Sequence, residues 1–104
     1  MTHKEIYDLL NTLNIPISYN HFEKELGIIP PFIVYRETSP ETFKADNKVY
    51  FKEYSFQIEL VTIKKDIILE NQIEELLNNN NIPYEKSDEV WDSKQKIYHN
   101  FYDI

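Results

Sequence analysis

Three histidines, His3, His21 and His99, and an acidic cluster, Glu85, Asp88, Glu89 and Asp92, are the residues of this 104-residue chain whose chemistry could reach beyond packing. The histidines fall on three separate segments, and none sits in a short metal-binding spacing such as H-E-x-x-H. His21 and His99 both lie in segments that read as strands, where they could meet across a sheet, but a partly buried or solvent-tipped ring is the commoner outcome. The acidic cluster could in principle hold a hard cation. A calcium loop, however, wants ligands at alternate positions and a glycine at the bend, and neither is there, so the cluster reads as a solvated face. Paired carboxylates for acid–base work need a cleft, and the carboxylates here fall on faces that read as exposed.

Composition narrows the chemistry further. With no cysteine, the chain has no disulfide framework, no thiolate metal site and no thiol nucleophile. Gly27 is the single glycine, where an average domain has about 7%. Walker loops, dinucleotide fingerprints and nucleophile elbows all need glycines at fixed positions, so none can be written here. The expectation is a protein that is not an enzyme and uses no cofactor and no metal. A formal charge of −7 disfavours a nucleic-acid partner, because phosphate binding relies on clustered Lys and Arg. The opening "MTHKEIYDLLNTLNI" has no long apolar run and carries acids in its first turns. It reads as neither signal peptide nor membrane span, which points to synthesis in the cytoplasm and no membrane partner.

The elements that must position these residues follow from periodicity. Thr2 and Glu5 form a capping-box pattern, and Ile6, Leu9, Leu10 and Leu13 make one helical stripe that ends at Asn14. "ISYNHF" (17–22) and "PFIVYRE" (31–37) read as strands, with "EKELGIIPP" between them too polar and then too proline-rich for regular structure. Tyr54, Phe56, Ile58 and Leu60 alternate with Ser55, Gln57 and Glu59, the signature of a core strand covered on one side. Upstream the alternation breaks near Lys52-Glu53, and Asp46-Asn47 suits a tight turn, so a projecting hairpin arm is expected at about residues 38–52. Asp66 can cap a second helix with Leu69, Ile73, Leu76 and Leu77 on its stripe, flanked by Glu70, Glu74 and Glu75 and ended by the asparagines 78–81. "IPYEKSDEVWD" and "IYHNFYDI", joined by "DSKQK", read as a terminal hairpin. The whole is one α+β domain over residues 1–104, a mainly antiparallel sheet with two helices packed on one side, in the order α-β-β-(arm)-β-α-β-β.

Aromatics make up 14% of the chain and concentrate on the strands. Rigid rings bury much area at small entropy cost, which suits interfaces, although a glycine-poor sheet also uses them to fill its core. Phe56 reads as core, and Trp91 and Tyr98 suit either place equally. Phe43, Asp46, Asn47, Tyr50 and Phe51 of the arm, with Trp91 and Tyr98, are the candidate assembly residues.

The segments "IPISYNHFE", "PPFIVYRETS", "FKADNKVY", "YSFQIELVTIKKD" and "IPYEKSDEVWDSKQKIYHNFYDI", in this order and spacing over nearly the whole chain, resemble the small tail-completion or head–tail-joining proteins of siphophages and prophages of Gram-positive bacteria. The resemblance implies a structural role in the virion, at the head–tail junction or the end of the tail tube. By analogy with lambda-like tail terminators it also implies a hexameric ring whose partners are tail-tube or head-connector proteins. It carries no residue-by-residue functional motif. On this reading the arm, Thr38 to Phe51, reaches a neighbouring subunit or the tube. The alternatives are a small cytoplasmic enzyme or ligand-binding domain with a pocket between helices and sheet, and a regulatory protein that binds one partner.

Overall fold

The structure, a computed structural model, describes residues 1–38 and 54–104. Helix α1 spans His3–Asn11 and opens on the expected capping box: Thr2 Oγ1 accepts from the Glu5 amide at 3.1 Å, and the Glu5 carboxylate accepts from the Thr2 amide at 3.3 Å. Ile6 and Leu10, one turn apart, are fully buried, and Leu9 and Leu13 pack at their margin. Asn14, at φ 58°, turns the chain away in a left-handed conformation that asparagine tolerates.

Strand β1, Ile17–Tyr19, lies parallel to β2, Phe32–Thr38, with Ile17 opposite Ile33 and Tyr19 opposite Tyr35. β1 is half the length its alternation suggested. Asn20 at φ 67° breaks it, so His21 and Phe22 belong to the connection and not to the sheet. That connection, residues 20–31, contains one 3₁₀ turn at Lys24–Leu26 where no regular structure was expected, closed by Gly27 at φ 59°. Phe22 stacks edge-on against Phe32, with centroids 5.1 Å apart. Phe32 adjoins the core residue Ile33 in the strand, so its side chain points to the opposite face. The connection therefore crosses the sheet on the side away from the helices.

Strand β3, Ser55–Thr62, pairs antiparallel with β2 from Phe32–Val61 to Thr38–Ser55. Phe56, Ile58 and Leu60 point into the core as their alternation required, and Tyr54, just before the strand, packs at its edge. Val61, on the other face, is also buried, so the strand is not covered on one side only. The arm and its residues Phe43, Asp46, Asn47, Tyr50 and Phe51 lie outside the described residues.

Helix α2, Ile67–Asn79, starts where the Asp66 carboxylate accepts from the Leu69 amide at 3.0 Å. Leu69, Ile73 and Leu77 are buried on its inner stripe, while Leu76 is half-buried. The asparagines end it: Asn80 Nδ2 donates to the Leu76 carbonyl at 2.8 Å, and Asn81 adopts φ 57°. The segment expected as one arm of the terminal hairpin is two short strands, β4 at Glu85–Lys86 and β5 at Val90–Asp92, both antiparallel to β6 at Ile97–Asp103. The exposed polar stretch Ser87–Asp88 interrupts the pairing, and the Ser87 amide instead donates to the Phe101 carbonyl at 3.1 Å. In the β5–β6 turn the Asp92 carboxylate accepts the amides of Lys94 and Gln95 at 2.9 and 3.1 Å.

The resulting six-stranded sheet runs β1-β2-β3-β6-β4, with β5 also on β6, and is antiparallel except for β1 with β2. Both helices contribute to one buried cluster with the strands: Ile6 and Leu10 from α1, Leu69, Ile73 and Leu77 from α2, and Ile33, Tyr35, Ile58, Leu60 and Tyr102 from the sheet. Burying each such aliphatic side chain is worth about 1.5–3 kcal/mol. The α+β architecture with two helices on one face is the one the sequence pattern called for.

Candidate functional site

Beneath α2 the helix-bearing face of the sheet carries a polar network. Glu70, on the helix, is only 3% exposed. Lys86 Nζ, reaching up from β4, donates to Glu70 Oε1 at 2.7 Å and to Glu74 Oε2 at 3.1 Å. Lys65, just before the helix, places Nζ 3.0 Å from Glu70 Oε1 and 2.8 Å from Oε2, and also donates to Glu89 at 3.0 Å. Glu89 accepts in addition from the buried Asn100 amide group at 3.0 Å, and the Tyr102 hydroxyl, at the centre of the core, donates to Glu74 at 3.0 Å. Tyr84 adds a longer bond to Glu74 at 3.4 Å. One helix and two strands are thereby tied through charged groups.

The electrostatics say what this network can do. Burial alone would push the Glu70 carboxyl up, but hydrogen bonds and charge from Lys65 and Lys86 outweigh it and hold it below the usual carboxylate range. Burial works against the Lys86 ammonium, yet its bonds to Glu70 and Glu74 raise it, and the bond to Glu70 raises Lys65. Burial and the bond to Glu74 both push the Tyr102 phenol up. At neutral pH the carboxylate is ionised and the lysines are charged. Such a set holds no acid ready to give a proton and no amine ready to attack, which makes it a clamp and not a catalytic constellation.

The opposite face is polar in rows. The Arg36 guanidinium donates to Gln57, whose amide donates to Asp103 at 3.1 Å, so a ladder crosses β2, β3 and β6. His99 Nδ1 lies 2.5 Å from Glu59 Oε2, bridging β6 and β3, and its ring stacks on Phe101 at 6.2 Å. His21 instead bonds Glu23 within the connection at 3.2 Å, so the two histidines do not meet. His3 lies at the end where β2 and β3 leave the described residues, against Tyr54 and Phe56 with centroids 5.0 Å away and Glu37 at 3.4 Å. Among the described residues no three His, Asp or Glu side chains gather as metal ligands would.

The other end of the sheet is apolar and exposed. Trp91 and Tyr98, opposite each other on β5 and β6, pack with ring centroids 4.5 Å apart, and Trp91 remains 48% exposed. Tyr98 is half-buried and opposes Thr62 at the end of β3. Ile63, one residue on, is exposed, and so are Ile67 and Ile68 in the first turn of α2. Lys65, bonded both to Glu70 of that helix and to Glu89 just before β5, ties these pieces into one end of the molecule. Of the seven candidate assembly residues, the structure therefore brings Trp91 and Tyr98 together on a surface.

Two expectations need correction. Glu70 was placed on an exposed face, and it is buried; its sequence signal is the pair of lysines, Lys65 and Lys86, that flank it by five and sixteen residues, a spacing no helix rule reads. The acidic cluster is only in part a solvated face. Glu85 and Asp88 are exposed, but Glu89 belongs to the clamp and Asp92 builds a turn. A groove of about 360 Å³ opens between the end of α1 and α2, lined by Thr12, Asn14, Gln72, Glu75 and Asn79 among others. Compared with family models, curated proteins and solved structures, the chain matches none.

Proposed function

We propose that the chain is a phage virion structural protein of the tail-completion or head–tail-joining kind, which works by assembling with copies of itself into a ring. The supporting observation is the exposed end: Trp91, Ile63, Ile67 and Ile68 stay at the surface while the buried charges beneath α2 are committed to holding the helix on the sheet. Exposed aromatic and aliphatic groups gathered at one place are the mark of an association surface. The reading assigns no catalytic step and no cofactor. Its partners are further copies and, from the resemblance, the tail tube or the head connector, with a hexamer as the count that tail terminators suggest. The protein is made in the host cytoplasm and ends in the virion.

Electron microscopy of lysates from the parent phage or induced prophage, with this reading frame deleted and then complemented, tests the role. Full heads separated from tails, or tails of irregular length, restored on complementation, are the expected result. Normal infectious particles would remove the role. A second reading, a small ligand-binding domain, draws on the groove between α1 and α2. On that reading a small molecule raises the melting temperature.

A further inference from the structure

We infer that Tyr7, Tyr19 and Tyr35, with His3 and Glu37, form a binding site for a neutral, hydroxyl-rich ligand of the size of one sugar unit. The site goes beyond the assembly reading and does not rest on it. Glu37 opposes Phe56 at the start of β3, whereas Tyr98 and Trp91 lie by Thr62 at its end. The floor of the site is Tyr35. That residue is only 6% exposed, its ring packed edge-on to Tyr19 at 5.3 Å and to Phe56 at 6.4 Å. Its hydroxyl has no hydrogen-bond partner among the described residues, yet it is not sealed from water. The one polar atom of a buried ring therefore opens to solvent. A buried tyrosine usually gives that atom a protein partner, as Tyr102 does with Glu74.

The walls come from three elements. Tyr19 stands opposite Tyr35 on β1, at the edge of the described sheet, and Tyr7 lies one turn beyond His3 on α1; both tyrosines are exposed. The His3 ring lies 5.5 Å from that of Tyr19. Burial pushes the Tyr35 phenol up, and the phenols of Tyr7 and Tyr19 are near enough to push it further. Glu37, two residues along β2 on the same face as Tyr35, holds His3 Nε2 at 3.4 Å. Its amide donates to the Tyr19 hydroxyl at 3.2 Å, which leaves the Tyr19 O–H proton to donate outward. This mixture of groups selects the ligand class. A phosphate or carboxylate would meet the Glu37 carboxylate and no lysine or arginine among the five residues. An ammonium group would find that carboxylate already shared with His3 and would leave three hydroxyl protons unused. A sugar both donates and accepts: it gives protons to Glu37 and takes them from the tyrosines, while the exposed rings of Tyr7 and Tyr19 offer apolar surface to its C–H groups.

Nitrogen–proton NMR correlation spectra of the full chain, titrated separately with D-glucose and N-acetyl-D-glucosamine, test this. At least one of the sugars is expected to shift the amides of Tyr7, Tyr19, Tyr35 and Glu37 and to saturate them with a dissociation constant on the order of 1 mM. Tyr35→Phe keeps the buried ring and removes only the hydroxyl, and Tyr7→Phe does the same at the rim. Each is expected to weaken binding roughly fivefold, the worth of one hydrogen bond, with thermal unfolding unchanged. If neither sugar moves these amides, the inference fails. Saturating shifts that both variants leave unaltered would place the sugar elsewhere and overturn the site as well. Tetramethylammonium chloride and inorganic phosphate, titrated in parallel, represent the other two classes. Saturation of these amides by either one in place of the sugars would overturn the hydroxyl-rich assignment.

Discussion

Glu70 shows how a single charged side chain can hold an element in place. Its carboxylate is desolvated, and replacing it costs Lys65 and Lys86 their shared buried partner, leaving Lys65 only Glu89 and Lys86 only Glu74. Glu70→Gln is expected to lower the unfolding free energy by about 2 kcal/mol, less than for a fully enclosed pair because both lysines can turn toward water. The neighbouring exposed Glu75→Gln should change it by less than about 0.5 kcal/mol, and urea denaturation of the two variants side by side measures the difference. The pH dependence has a defined sign. A carboxyl whose folded pKa is depressed contributes its stability fully above its unfolded value, about 4.3, and loses it as pH falls through the folded value. The gap between the unaltered chain and Glu70→Gln should therefore be full at pH 6–7 and narrow below about pH 4. None of this was legible in the sequence, where Glu70 looks like one more acid beside an aliphatic stripe. Its burial depends on β4 passing under the helix, a contact between residues sixteen positions apart. Trp91 and Tyr98, by contrast, suited core and interface equally in the sequence; β5 is only three residues long and leaves Trp91 48% exposed, while Tyr98 on β6 is half-buried.

Helices were the easiest elements to read. Their starts are written in side chains that satisfy free amides, Thr2 and Asp66, and their ends in asparagines that accept left-handed or irregular backbone. Asp66→Ala is expected to cost about 1 kcal/mol and Ile73→Ala about 2–5 kcal/mol, the first by exposing a helix amide and the second by opening a cavity at a fully buried site. Strand existence was also legible, from period-two alternation in β1 and β3, from β-branched and aromatic residues in β2 and from the hairpin pattern around β6, but strand length was not. β1 stops at Asn20, whose left-handed backbone leaves the strand, and the β4–β5 segment splits at Ser87–Asp88, where one extra residue shifts the register on β6 between Lys86–Tyr102 and Val90–His99. At the arm, β2 and β3 already pair as far as Thr38 and Ser55, so a short Asn-Gly turn can close them. Replacing residues 39–53 by such a turn is expected to leave a cooperatively folding chain that no longer assembles. A variant without a cooperative melt would place those residues in the core.

Across the whole molecule, the formal charge of −7 is not spread as acids alone: Lys64, Lys65, Lys94 and Lys96 stand with Asp66, Glu89 and Asp92 in the segments that β3, β5 and β6 bring to one end. A contact between copies that pairs charges of opposite sign should weaken with salt, since about 1 M ionic strength shrinks the screening length to roughly 3 Å, while its apolar part persists. The sequence disclosed the total charge but not its placement: the segments that carry Lys64 and Lys94 come to the same end only because β3 and β6 pair antiparallel, with Thr62 opposite Tyr98. Self-assembly is the claim on which the proposed role depends. Sedimentation velocity of the purified chain over a wide range of concentration, at low and at high salt, tests it most directly. Growth from monomer to a defined larger species with rising concentration, reduced by salt, is the predicted result; a single monomeric boundary at every concentration would contradict it.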